Sequence, residues 1–123
     1  MGFSQGSIMI TMLTARRLQR AARGEAAPPS WRCNVLFAAM PPRASKYTPI
    51  YPTLGVPPLS DWPCVATMGT KDEHHRYAQN LKKIYGRGME WFEFDGPHET
   101  PKDTALIQEV AAAIWRALSI EFE

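Results

Sequence analysis

Met1-Gly2-Phe3-Ser4-Gln5-Gly6 is the stretch on which the reading of this chain turns. Gly2-Phe3-Ser4-Gln5-Gly6 fits G-x-S-x-G, in which a strand turns sharply into a helix and leaves a serine exposed on a strained backbone. Both glycines are expected to answer a steric need, because neighbouring chain passes too close for a Cβ. The pattern alone is weak, since it arises by chance in many chains, and Ser4 taken by itself reads equally as a helix cap. The rest of the chain has to decide.

From Gln5 to about Arg23, Ile8, Met9, Met12, Leu13 and Leu18 recur with a rough helical period, and Gly24 then offers a C-cap. A linker with Pro28 and Pro29 follows. The nearly continuous apolar run Cys33-Asn34-Val35-Leu36-Phe37-Ala38-Ala39-Met40 predicts a strand over Cys33–Ala39, buried on both faces as in parallel sheets. Between Pro41 and Pro63 stand seven prolines, which exclude both a long helix and a central strand. That segment also carries Tyr47, Ile50, Tyr51, Leu54, Val56, Leu59 and Trp62, and it reads as a surface loop partly packed over a cleft. Cys64–Met68 reads as a second buried strand, Asp72–Tyr85 as a helix, and Glu90–Phe94 as a third strand. A final helix, Lys102–Leu118, is expected to start at Thr100-Pro101, with threonine as cap and proline in the first helical position.

Helix, strand, loop, strand, helix, strand, helix is the alternation of an α/β fold with right-handed crossovers. The expectation is a three-stranded parallel sheet, with Gln5–Arg23 and Asp72–Tyr85 on one face and Lys102–Leu118 on the other. In open α/β sheets the reacting groups sit on loops at the carboxyl ends of strands. Asp72 follows the second strand, in Met68-Gly69-Thr70-Lys71-Asp72. His98 follows the third, in Phe94-Asp95-Gly96-Pro97-His98-Glu99-Thr100-Pro101. Serine needs a base to become a nucleophile, and the base needs a carboxylate to fix its tautomer, so three strand ends supply three roles. The order Ser4, Asp72, His98 is the one found in α/β-hydrolases. Asp95, only three residues before His98, reads as a turn residue. His74 and His75 point to different sides of a helix and share no metal-ligand spacing, so they read as solvated.

The composition narrows the setting. In 123 residues there is room for one domain, and 45% hydrophobic with 21% charged residues is that of a folded globular chain. The net charge is only +2, and the one dense basic group, Arg16, Arg17, Arg20 and Arg23, has no aromatic residues interleaved to stack bases. It reads as a helix end favoured by the dipole and not as a nucleic-acid surface. Cys33 and Cys64 have no metal-ligand spacing and read as reduced thiols. No apolar stretch approaches the ~18 residues of a membrane span, and a cytoplasmic location is expected. Neither a metal nor a cofactor is implied.

Taken together the motifs resemble those of the serine hydrolase family called FSH, eukaryotic α/β-hydrolases. Gly2-Phe3-Ser4-Gln5-Gly6 is similar to its elbow, Phe37-Ala38-Ala39-Met40-Pro41-Pro42-Arg43 to its strand and Pro-Pro-Arg loop, Gly69-Thr70-Lys71-Asp72 to its acid loop, and Gly96-Pro97-His98-Glu99-Thr100-Pro101 to its histidine loop. The resemblance implies Ser4 as nucleophile, His98 as general base then acid, Asp72 as its orienter, and the Gln5 backbone N–H as one oxyanion donor. It implies an ester or thioester as small-molecule substrate, in some members an acyl chain released during fungal polyketide biosynthesis. The chain departs from the family pattern at Pro97, which stands where a glycine is usual, and at Glu73-His74-His75-Arg76. Only Met1 precedes the elbow, so residues 1–123 read as an N-terminally truncated domain, for which a catalytically silent fragment or binding partner is the rival reading. With the elbow strand gone, Cys33–Ala39 is expected to be an open sheet edge, giving low stability or self-association.

Overall fold

Four parallel strands, adjacent in sequence order, form the sheet of the computed structural model, which describes residues 1–40, 59 and 61–119. They are β1 (Gly2–Phe3), β2 (Asn34–Phe37), β3 (Cys64–Gly69) and β4 (Met89–Phe94). The helices are α1 (Gln5–Ala22), α2 (His75–Ala78), α3 (Asn80–Tyr85) and α4 (Thr104–Ser119). The Pro-Pro-Arg loop and most of the proline-rich segment lie outside the described residues.

The α/β class and parallel sheet are as expected, but the strand count is four and not three. Gly2 and Phe3 pair with Leu36 and Phe37, and the Ser4 N–H continues the pairing to the Phe37 carbonyl at 2.9 Å. The strand expected at Cys33–Ala39 is therefore shorter and internal. The edge passes to β1, beside whose outer side no strand stands among the described residues, so the expected self-association now concerns a two-residue edge.

Period-two alternation sorts the β2–β3–β4 register into two faces. Leu36, Cys64, Ala66, Met68 and Trp91 meet α1, α2 and α3, in a core with Ala15, Leu81, Ile84 and Tyr85. Val65 and Phe92 face α4, where Val110, Ala113, Leu106 and Ile114 cover them. The helices thus occupy the expected faces.

Three details differ from expectation. The face that α1 buries carries Ser7, Thr11, Thr14 and Ala15, while Met9 and Leu13 of the apolar set are more than half exposed, at 55% and 52%. The buried hydroxyls have partners: Thr11 and Tyr85 hydroxyls lie 2.7 Å apart, and the Asn34 amide donates to Tyr85 at 2.9 Å and Thr14 at 3.0 Å. The region expected as one helix over Asp72–Tyr85 is a turn followed by α2 and α3, because the Asp72 carboxylate accepts the His74 N–H at 2.8 Å and holds the chain out of the helix there. The last helix starts later than Lys102, capped by Asp103, whose Oδ2 accepts the Leu106 N–H at 2.9 Å, and Pro101 is buried in the preceding loop. By contrast, Gly24 does close α1. At φ 74° it donates to Ala21 while Glu25 donates to Arg20, the paired bonds of a Schellman ending. Both cysteines are free, and no helix among the described residues is long and apolar enough to cross a membrane.

Candidate active site

The site begins with backbone strain at Ser4. The residue between β1 and α1 has φ 53° and ψ −116°, a conformation that costs a non-glycine residue roughly 1–3 kcal/mol. It makes no side-chain cap bond to α1, so the cap reading of Ser4 fails. Close packing explains one of the two flanking glycines. A Cβ on Gly2 would sit 2.5 Å from the Gly6 carbonyl oxygen and 2.8 Å from the Ser7 nitrogen. The expectation for Gly6 is corrected: among the described residues its Cβ would meet nothing within 4 Å.

Ser7, absent from the sequence reading, ties the turn down. Its buried hydroxyl donates to the Ser4 carbonyl at 2.5 Å and accepts the Met40 N–H at 2.9 Å, joining the first turn of α1 to the chain just past β2. A serine one turn after the motif serine, on the sheet-facing side of the helix, was the available signal. Gln5 opens α1, where first-turn amides have no acceptor within the helix.

On the other side, β3 and β4 continue their ladder into the loops beyond them. Thr70 N–H reaches the Phe94 carbonyl at 2.8 Å and Lys71 N–H reaches the Gly96 carbonyl at 2.9 Å. Gly69 allows this, because a Cβ there would collide with the carbonyl oxygens of Gly96 and Pro97. The acid loop and the histidine loop are thereby pressed backbone to backbone. Pro97 does not prevent it.

All three residues expected from the sequence come together. His98 Nδ1 lies 2.6 Å from Asp72 Oδ2, and His98 Nε2 lies 2.7 Å from Ser4 Oγ. The Asp72 side chain is fully buried, its other oxygen accepting the His74 N–H, while the His98 side chain remains 32% exposed. A neutral imidazole in this position donates from Nδ1 to the carboxylate and accepts the serine proton at Nε2. Asp95 instead pairs with Lys71 at 3.1 Å on the surface. His75 meets Glu93 at 3.0 Å. His74 corrects its solvated reading, since its ring packs edge-on against His98 with centroids 5.6 Å apart.

An open, almost wholly apolar pocket of about 290 Å³ lies on the α4 side, lined by Phe37, Thr100, Pro101, Ile107, Val110 and Ile114 among others. Thr100 and Pro101 stand just downstream of His98, and Phe37 accepts the Ser4 N–H. A larger pocket of about 430 Å³, bordered by Asp61, Arg87, Gly88 and Glu90, sits at the amino ends of β3 and β4, the opposite end of the sheet from Ser4, Asp72 and His98. Among the described residues no group of three or more His, Cys, Asp or Glu side chains is placed to hold a metal.

Residues 1–110 match the family model described as Serine hydrolase (FSH1). The chain belongs to this family. Neither a curated protein nor a solved structure gave a match.

Proposed function

We propose that this family member cleaves a carboxylic ester or thioester through an acyl-Ser4 intermediate. The observation that supports it is the unbroken row of hydrogen bonds from Ser4 Oγ through His98 to the buried Asp72 carboxylate. The Ser4 oxygen attacks the substrate carbonyl while His98 Nε2 takes its proton, and Asp72 steadies the imidazolium that forms. The oxyanion of the tetrahedral intermediate accepts the Gln5 N–H, at the positive end of α1. Collapse expels the alcohol or thiol, which takes its proton from His98, and leaves acyl-Ser4. Water then gives a proton to His98 as its oxygen bonds to the acyl carbon; the acyl–Oγ bond breaks, Ser4 Oγ takes that proton back from His98, and the acid leaves. Every proton and electron pair is carried by Ser4, His98, substrate and water, so the sequence of steps calls for no cofactor. The apolar pocket beside Phe37 and Pro101 favours an acyl group over a charged one.

A fluorophosphonate probe tests the reading directly. Wild-type protein should be labelled covalently at Ser4, and Ser4→Ala should not be labelled at all. Folded wild-type protein that resists the probe would establish the silent alternative.

A further inference from the structure

Two hydrogen bonds at opposite nitrogens fix the line along which His98 bridges Asp72 and Ser4, but not the tilt of its ring about that line. Among the described residues, two rings pack against it. Phe3, from β1, packs against it with centroids 5.4 Å apart at 54°. His74, from the turn after Asp72, packs against it at 5.6 Å and 69°. His74 is itself held, with its N–H on Asp72 Oδ1 at 2.8 Å and its Nε2 3.3 Å from Glu73 Oε1.

We infer that His74 is a positioning residue, which with Phe3 clamps the His98 imidazole at its working tilt. This rests on the hydrolase reading of Ser4, Asp72 and His98. The clamp matters most in the second half of the reaction. Once Ser4 is acylated, its oxygen no longer carries a proton to donate, and the bond to Nε2 is lost. Asp72 then holds the ring at one nitrogen only. Phe3 and His74 supply the remaining restraint while His98 aligns the incoming water. His74 thus reaches the reacting atoms only through His98. Its ring is required as a packing surface, so phenylalanine should replace it.

The test compares wild type, His74→Ala and His74→Phe, all of which keep the backbone N–H on Asp72. With p-nitrophenyl acetate, His74→Ala should keep its acylation burst while steady-state turnover falls on the order of tenfold, as misalignment predicts. His74→Phe should restore turnover to near wild type. By NMR, the low-field Nδ1–H resonance of His98 should be sharp in wild type and His74→Phe, and broadened in His74→Ala. An unchanged resonance, an unchanged deacylation rate in His74→Ala, or a His74→Phe as impaired as the alanine variant overturns the clamp. If wild type is not labelled by fluorophosphonate, the hydrolase reading fails, and the resonance alone decides whether His74 holds the ring.

Discussion

Asp72 and Ser4 meet His98 at nearly the same distance, 2.6 and 2.7 Å, yet the chain holds them by different means. Asp72 and His98 hang from β3 and β4, six-residue strands paired along their whole length, with the pairing carried on into both loops. That half of the site is a product of the sheet. Ser4 follows a strand of two residues at the sheet edge and is held by one backbone bond to Phe37 and by Ser7. That half is a product of local geometry, with a strained φ kept in place by a few hydrogen bonds. The two halves should fail differently when perturbed.

The largest effect is expected on the sheet-built side. Asp72→Asn should lower kcat by about 10⁴, since an amide facing Nδ1 favours the wrong imidazole tautomer. Its fold should survive, because the asparagine carbonyl oxygen still accepts the His74 N–H. Steady-state kinetics beside a thermal melt separate the two quantities. A melt that collapses together with activity would mean that the carboxylate is needed to build the loop as well as to orient His98.

The same contrast explains what was legible in the sequence. The β3 and β4 strands announce themselves as apolar runs, and the loops beyond them carry the Asp and His that the structure brings together. The two residues of β1 have no periodicity to read, so the apolar pattern predicts three strands where the sheet has four. The inward face of α1 departs from the apolar period for another reason. Ser7, Thr11 and Thr14 look like surface residues until their partners are known, and Tyr85 and Asn34 stand 74 and 20 positions along the chain from Thr11 and Thr14 respectively. Hydropathy reports which residues avoid water, not which polar groups will find each other. The start of α4 differs from the expected one because Thr100-Pro101 carries a valid cap pattern, while Asp103 carries the cap that is used. His74 faces His98 only because Asp72 captures its N–H and turns the chain there.

Glycines sharpen the comparison at a smaller scale. Gly69→Ala forces a Cβ against the backbone carbonyls of Gly96 and Pro97, which cannot yield as a side-chain tip would. Overpacking of this kind should cost about 1–3 kcal/mol and draw the acid and histidine loops apart. Gly6→Ala, on the Ser4 side, adds a Cβ that meets nothing within 4 Å among the described residues, and it should be neutral, or stabilising by up to about 1 kcal/mol through helix propensity. Chemical denaturation of both variants checks the pair. A Gly6→Ala variant as destabilised as Gly69→Ala would show that the second glycine of the motif is sterically constrained after all.

The smallest effect concerns what joins the halves. Tyr85 bonds Thr11 on α1 and Asn34 on β2, and Cys64 lies beside it at the base of β3. Burial pushes the Cys64 thiol up, reinforced by the nearby Cys33, and burial likewise pushes the Tyr85 phenol up. Both groups are neutral when protonated, so the folded state keeps protons that the unfolded chain releases first. Stability should therefore be fully present below the unfolded thiol value of about 8.5 and decline as pH rises above it, with Tyr85 adding to the slope from about pH 10. The loss from Cys64 amounts to about 1 kcal/mol by about pH 9. Urea unfolding at several pH values from neutral to alkaline should show the decline, and Cys64→Ala should flatten its first part whatever its own starting stability. A wild-type profile that stays level across that range would mean that Cys64 ionises as readily in the fold as outside it. The base of β3 would then be open to water, and the contrast between a sheet-built half and a locally built half would lose its foundation.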